Sequence, residues 1–299
     1  MRVARIKETY KNNDTIRVWP ISDTHLGAID VDEDLLREHV EMIRQDPQAR
    51  VIFLGDVGDL IDFRDKRFQA GMWPERYVDA VHAEGGIPSE TVAHAIEIFQ
   101  PIRNKIWCWL SGNHEYTIRS KYDREIGSEI AGALGVEYLG YGGFLRTEWK
   151  RSTSGAKGPE HVVVFDLHHG WQGGRRSGAK VNQLELHLGE SDADVVLRGH
   201  SHDRLAHIFP SLRITPNNVT DWERVVAHCG SYKLGRVDTK RGEETHDTWE
   251  ARKGFRRKTI ATMGPPMIEM TFREAKPSRP SRGDEKERPR SGVTFKVTL

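Results

Sequence analysis

The chain has 299 residues, 30% of them charged, and its basic and acidic side chains leave a net charge of +1. This length allows one large domain or two small ones, and the near-zero net charge excludes a strongly basic nucleic-acid-coating or membrane-surface protein. No signal-peptide pattern and no run of ~20 apolar residues is present, so we expect a cytoplasmic protein without a membrane span.

Five short runs rich in β-branched and aromatic residues each stop at a cluster of polar residues and glycine. This pattern is typical of buried strands that end in polar loops. The predicted strands are Ile16–Ile21, Val51–Leu54, Lys105–Leu110, His161–Leu167 and Val195–Leu197. They would deliver their polar side chains to one edge of the fold.

Helical patterns lie between these runs. We predict helices at Asp32–Gln45 with Asp32 as N-cap, at Ser89–Phe99 with Ser89 as N-cap, and at Tyr122–Leu134. The alternation of strand and helix indicates a layered α/β domain.

Two stretches lack clean periodicity. The aromatic and polar stretch Asp62–Pro88 is interpreted as an insertion near the site, outside the core. The segment Thr147–Pro159, which is rich in Gly, Ser and Lys, is interpreted as a loop between strands.

The composition changes near residue 235. We therefore predict a main domain at 1–234 and a partly mobile appendage at 235–299. Within the appendage, Met267–Phe272 and Val293–Leu299 are predicted strands, the latter at a sheet edge, and Lys276–Ser291 is rich in Pro, Arg and Glu and predicted to be mobile.

Five motifs at the predicted strand ends contain the residues that a metal site needs. They are Asp23-Thr24-His25, Gly55-Asp56-Val57-Gly58-Asp59, Gly112-Asn113-His114-Glu115, His168-His169-Gly170 and Gly199-His200-Ser201-His202. Two neighbouring divalent cations require several carboxylate and imidazole ligands, and together they can bind the attacking and departing oxygens of an in-line displacement. Alternate residues of an extended chain lie on one side, so Asp23 and His25, like His200 and His202, are expected to converge.

The order and chemistry of these motifs resemble the calcineurin-like metallophosphoesterase family over about residues 16–232. The resemblance implies a four-layer α/β/β/α sandwich of two mixed β-sheets flanked by helices. It also implies phosphoester hydrolysis by in-line attack of a hydroxide that bridges two divalent metal ions. An oxygen and imidazole donor set fits Mn²⁺ best in our interpretation, and iron or zinc also suits it.

The resemblance also assigns roles by motif position. The first metal would be held by Asp23, His25 and His202, and the second by Asn113, His169 and His200, with Asp56 bridging the two. His114 would protonate the leaving oxygen or stabilise its charge, and Asp59 would orient His114. Alternation along a strand sends His168 and His169 to opposite sides; the glycine after His169 favours that residue, with His168 as the alternative.

The substrate is predicted less directly. Arg175 and Arg176 follow the fourth motif, where a loop could place guanidinium groups on a substrate phosphate, although a solvated loop explains them nearly as well. The basic segment Arg252–Lys258 and a distant resemblance to double-strand-break repair nucleases point the same way. Together these features favour a phosphodiester substrate, with DNA or RNA as candidates.

Two other functions fit the sequence. One is a phosphomonoesterase acting on a small molecule or nucleotide. The other, of a different class, is a metal-binding scaffold or nucleic-acid-binding protein with little catalysis. The presence of both His114 and Asp59 argues against the scaffold, which needs no group to act on a leaving oxygen.

Overall fold

The chain folds into two β-sheets with helices on their outer faces. The structure, a computed structural model, describes residues 1–61, 63–155, 159–170, 177–215, 218–235, 262–273 and 292–299. Its strands are β1 (Arg2–Tyr10), β2 (Thr15–Ile21), β3 (Ala49–Leu54), β4 (Ile106–Leu110), β5 (Glu137–Gly140), β6 (Gly142–Arg151), β7 (His161–His168), β8 (Val195–Arg198), β9 (Arg204–Thr215), β10 (Asn218–Cys229), β11 (Met267–Arg273) and β12 (Gly292–Thr298). Its helices are α1 (Glu33–Gln45), α2 (Glu75–Ala80), α3 (Gly86–Phe99), α4 (Asn113–Tyr122), α5 (Ile126–Leu134) and α6 (Ser177–Leu188), with a 3-10 helix at Gln100–Lys105.

Both sheets are mixed and six-stranded. The first has the strand order β1-β6-β7-β8-β10-β9, and the second has the order β12-β11-β2-β3-β4-β5. In the second sheet β2, β3, β4 and β5 are parallel, so β2, β3 and β4 end at the same edge. In the first sheet β7 and β8 are also parallel.

The layers follow from which faces the apolar side chains cover. A core between the two sheets contains Trp149 and Phe165 from the first sheet and Met270 from the second. On the outside, helices α1, α3 and α5 pack on the second sheet, and Leu184 of α6 packs on Val196 of the first. The predicted fold class, two mixed sheets flanked by helices, is confirmed. None of the described helices has the length and apolarity that a membrane crossing requires.

Helix α1 begins where the sequence predicts. The carboxylate of Asp32 accepts a hydrogen bond from the Leu35 backbone N–H at 3.0 Å and so caps the helix. Helix α3 instead begins at Gly86, three residues before the predicted start, and its N-cap is Gly85 with φ of 83°. The predicted cap Ser89 was wrong, because Ser89 lies in the first turn and its Oγ accepts from Arg124.

The predicted helix Tyr122–Leu134 is confirmed from Ile126 to Leu134 and was wrong at its start, where Tyr122 is the last residue of the preceding helix. Helix α4 ends at Tyr122, where Asp123 adopts a left-handed conformation with φ of 51°, and α5 begins at Ile126. The predicted loop Thr147–Pro159 was wrong at its start, because β6 continues to Arg151. Alternate residues Thr147 and Trp149 are fully buried, as a strand with one face on the core requires.

The stretch interpreted as an insertion is partly core. Asp62 lies outside the described residues, and the remainder contains α2 and the first turn of α3. Tyr77 of α2 is fully buried and its hydroxyl lies 3.2 Å from His94 Nδ1. The stretch therefore contributes to packing as well as lying beside the site.

The two predicted strands beyond residue 235 are confirmed, and both belong to the second sheet. Strand β11 pairs with β2, and β12 pairs with β11 at the sheet edge. The segments 236–261 and 274–291, which include the predicted mobile stretch, lie outside the described residues. The domain boundary at 234 stays a prediction.

The packing of β11 gives a test of how firmly this segment belongs to the fold. Phe272 is fully buried, with ring centroids 4.7 Å from Tyr10 and 4.6 Å from Trp149. We expect Phe272→Ala to lower the free energy of unfolding by about 3–5 kcal/mol, because it leaves a cavity between the sheets. Denaturant unfolding measures this, with exposed Leu212→Ala as the control. A loss no larger than the control's would mean that β11 adds nothing to the core.

Candidate metal centre

The five sequence motifs meet at the edge where β2, β3, β4, β7 and β8 end. Three sets of potential ligand atoms lie there, each within 4.8 Å of one another: Asp23, His25 and His202; Asp56, His169 and His200; and His25, Asp56 and His114. Residues separated by up to 179 positions along the chain are thus brought to one place by the parallel strands. The predicted ligands converge.

The first set is built around Asp23. Its Oδ1 lies 3.3 Å from His202 Nε2 and 3.9 Å from His25 Nε2, and the two Nε2 atoms are 3.0 Å apart. The other oxygen, Oδ2, accepts hydrogen bonds from Ser22 Oγ and from the His200 backbone N–H. The carboxylate is thereby held with one oxygen directed at the histidines.

Asn113 lies beside the second set and adds an amide oxygen to it. Asn113 Oδ1 lies 2.7 Å from His200 Nδ1 and 3.2 Å from His169 Nε2. Asp56 Oδ2 is 3.2 Å from His169 Nε2 and 4.0 Å from His25 Nε2, a member of the first set. Asp56 therefore lies between the two sets, where a bridging ligand would have to be.

The backbone of the site is strained. Eight non-glycine residues of the described part have positive φ, and five of them are at the site: Asp23, His25, Asp56, His200 and His202. Their φ values of 46–63° lie in the left-handed region, which costs roughly 1–3 kcal/mol at each such residue. Asp23 and His25 converge as expected, and so do His200 and His202. The expected reason, alternation along a strand, was wrong, because these residues lie in left-handed turns after the strands.

Close backbone approach explains two of the glycines. A Cβ on Gly112 would lie 2.1 Å from Asp56 Oδ1, and one on Gly55 would lie 2.4 Å from the Gly112 nitrogen. Only glycine lets the loops after β3 and β4 approach this closely. The same approach lets the His114 backbone N–H donate to Asp56 Oδ1 at 2.9 Å.

Hydrogen bonds on the outer side fix the histidine tautomers. His25 Nδ1 lies 3.1 Å from Asp59 Oδ1, and His169 Nδ1 lies 2.7 Å from the Leu54 carbonyl oxygen. Each acceptor requires a proton on Nδ1 and leaves Nε2 as the nitrogen that is directed into the site. This is the usual arrangement of histidines that bind metals.

The charges of the site favour a cation. Burial opposes ionisation of His169, but the carboxylates of Asp56 and Asp23 outweigh it and raise the pKa of the imidazole to about 10. Asp23 is fully buried, and its Oδ1 has no hydrogen-bond partner among the described residues. Buried carboxylates of this kind need a compensating positive charge. Carboxylate and amide oxygens with imidazole nitrogens fit divalent transition metals.

His168 and His169 have different surroundings. His169 is fully buried among the ligand atoms. His168 is the last residue of β7, and its Nδ1 accepts a hydrogen bond from the Gly170 backbone N–H at 2.8 Å. The geometry therefore places His169, and not His168, in the ligand sets.

Asp59 contacts His114 as expected, but through its backbone carbonyl and not through its carboxylate. The carboxylate accepts from His25 and lies 3.3 Å from Lys233 Nζ, whereas its distance to His114 Nδ1 is 4.0 Å. His114 Nδ1 instead donates to the backbone carbonyl of Asp59. The burial of Asp59 opposes its ionisation, but Lys233 and His25 hold the pKa of the carboxyl well below its ordinary value.

Three functional-site residues were missed by the sequence reasoning. Glu115 is fully buried and accepts backbone N–H groups of Asp56, Val57 and Gly112 at 2.6–3.0 Å, which fixes the loop after β3. Burial raises the pKa of Glu115 to about 7. Its place within Gly112-Asn113-His114-Glu115 was the only available signal.

The other two missed residues are cations. Arg67 Nη1 lies 2.9 Å from His114 Nε2, and Asp65 holds the same guanidinium through Nε and Nη2 at 3.0 and 2.8 Å. Lys233 is buried beside Asp59 and lies 3.8 Å from Asp30 Oδ1. No sequence motif marked either residue. Arg175 and Arg176 lie outside the described residues.

The contact between Asp59 and His25 gives a direct prediction. Asp59→Asn should weaken Mn²⁺ binding by about 10–100-fold, because the amide no longer fixes the His25 tautomer. Calorimetric titration of the metal-free protein measures this, with the surface variant Asp79→Asn as the control. Unchanged affinity would return Asp59 to the role first expected, support of His114 alone.

Comparisons with known proteins agree with this geometry. The model of the calcineurin-like phosphoesterase family matches residues 16–204. A comparison with curated proteins gives no significant match.

Solved structures give distant matches. One is an uncharacterized protein from Streptococcus pneumoniae, described as a predicted phosphoesterase, with 11% identity, a TM-score of 0.30 and coverage of 88% of this chain and 86% of the other. Another is Vps29 from Chaetomium thermophilum, with 10% identity, a TM-score of 0.27 and coverage of 95% and 97%. The family model spans well over half of the chain and includes all the motif residues from Asp23 to His202. The chain therefore belongs to the calcineurin-like phosphoesterase family.

Proposed function

We propose that this protein is a phosphodiesterase that uses two divalent metal ions and water, with nucleic acid among its substrates. The observation that carries the proposal is the position of Asp56 between two sets of ligand atoms. A shared carboxylate between two imidazole-rich sets suits a pair of cations about 3.5–4 Å apart. The function also agrees with the family of the chain.

The ligands would divide as the two sets do. One cation would be held by Asp23, His25 and His202, the other by Asn113, His169 and His200, and Asp56 would contact both. When bound, such cations lower the pKa of water and withdraw charge from phosphoryl oxygens. We propose Mn²⁺, because the donors are oxygen and imidazole without thiolate.

His114 is proposed to act on the leaving oxygen through Nε2. Its Nδ1 is engaged by the Asp59 carbonyl, so Nε2 is the nitrogen that faces the site. Nε2 also lies 2.9 Å from Arg67 Nη1. An oxygen that departs from phosphorus beside His114 would therefore meet the Arg67 guanidinium, which stabilises negative charge. Nε2 of His114 would transfer a proton to that oxygen only after it had itself taken one up, for example from the attacking water.

Substrate choice is tested by comparing phosphate esters under one set of conditions. With Mn²⁺ present we expect faster hydrolysis of bis(p-nitrophenyl) phosphate than of p-nitrophenyl phosphate, and release of nucleotides from single-stranded DNA. Turnover of the monoester alone would contradict the diester assignment and favour a small-molecule phosphatase. Metal binding without turnover of any ester would favour a scaffold.

Two variants separate metal binding from chemistry. His114→Ala should retain both metals and lose about 10²–10⁴-fold in diester turnover, because it removes only the group beside the leaving oxygen. Asp56→Asn should lose metal as well as activity. Metal content by plasma mass spectrometry and turnover are measured together, with exposed His82→Ala as the control. Loss of metal in His114→Ala would make His114 a ligand and refute this division of roles.

A further inference from the structure

The loop before α2 and helix α4 form an exposed aromatic and basic patch, defined here as Phe63, Arg64 and Tyr122. Arg64 Cζ lies 5.4 Å from the ring centroid of Phe63 and 6.0 Å from that of Tyr122, and its Nη1 donates to the Tyr122 hydroxyl at 3.2 Å. Phe63 is 61% exposed and Tyr122 is 41% exposed. Two aromatic rings are thus partly exposed, with the guanidinium of Arg64 near both of them.

The exposure of these rings is unusual for this molecule. Large hydrophobic side chains that are exposed in the described part include three aromatic ones, Phe63, Tyr116 and Tyr122, and all lie on α4 or on the loop beside it. Most of the other large aromatic side chains of the described part pack into the cores between and outside the sheets. An apolar ring left in water next to an active site is typical of a binding surface.

The patch is connected to the metal centre at both of its elements. Arg67, three residues after Arg64, reaches His114 at 2.9 Å. Helix α4 carries Asn113 and His114 at its first turn and Tyr122 at its last residue, a span on the order of 15 Å. A chain bound at the metals and extended along α4 would therefore reach the patch.

The charges around the patch favour a polyanion. Arg64, Lys66 and Lys121 are exposed there, against the exposed carboxylate of Asp123. Two other acids that the structure describes near the patch are engaged: Asp65 pairs with Arg67, and Glu125 pairs with Arg119. Cations interleaved with exposed aromatic rings are the features by which proteins bind single-stranded nucleic acid, with bases on the rings and phosphates on the cations.

We propose that Phe63, Arg64 and Tyr122 form a subsite for unpaired nucleotides at the far end of α4 from the scissile phosphate, so that the enzyme acts on single-stranded nucleic acid. The bases stack on the two rings, and Arg64 binds the intervening phosphate. In a duplex the bases are stacked on each other and cannot reach the rings. This inference rests on the proposed diesterase function and names its substrate class.

The test measures binding of fluorescein-labelled oligo-dT to the full chain by anisotropy, across a series of salt concentrations and without added metal. Phe63→Ala combined with Tyr122→Ala should weaken binding about fivefold or more with little change in salt slope, because stacking is lost. Arg64→Ala should lower the slope of log K against log salt by about 0.7, the value for one phosphate of a single strand. The controls are exposed Leu186→Ala and Arg103→Ala, which lie on other elements.

The outcomes distinguish this inference from the proposed function. The double variant should hydrolyse bis(p-nitrophenyl) phosphate at the wild-type rate while its KM for oligo-dT rises. Patch variants that bind oligo-dT like the controls, or a wild-type chain that binds duplex or polyglutamate as tightly as oligo-dT, would overturn the subsite and leave the diesterase standing. Absence of small-diester turnover in the wild type would instead overturn the diesterase.

Discussion

The structure depends on the burial of carboxylates beside one another at a sheet edge. Asp23 and Asp56 are both buried, and each raises the cost of ionising the other. Around them His169 takes up positive charge, and Lys233 does the same for Asp59. Burial of such groups without a full set of partners is expensive. The site therefore lowers the stability of the folded protein when no metal is bound. Binding cations removes this cost, and for this reason affinity for metal and stability are expected to be coupled.

The two packed sheets hold the strained backbone of the site in place. Five site residues adopt left-handed backbone conformations that an isolated loop would not keep. They persist because the strands before them are fixed in two sheets that share a core, and because Glu115 satisfies the backbone N–H groups of the loop after β3. Stability provided by apolar packing thereby compensates for backbone strain at the candidate metal centre.

The sequence predicted the strands that carry the five motifs and missed site residues that are placed by tertiary contacts. The motifs of Asp, His, Asn and Gly at the strand ends can be recognised in the sequence. The structure brings all the predicted ligands from Asp23 to His202 together. Arg67 and Lys233 belong to no motif, because they reach the site from a loop and from beyond β10. The sequence also did not show that Asp59 contacts His114 with its backbone carbonyl and His25 with its carboxylate, because motif spacing does not encode side-chain placement. The strands β11 and β12 were predicted, but the pairing of β11 with β2 was not.

The central claim is that the side chains of five motifs hold two cations around Asp56. Anomalous diffraction from crystals soaked in Mn²⁺ tests this most directly. We expect two manganese peaks about 3.5–4 Å apart, one beside Asp23, His25 and His202, the other beside Asn113, His169 and His200, with Asp56 touching both. A single peak that excludes Asp56, or manganese bound only elsewhere on the chain, would contradict the account.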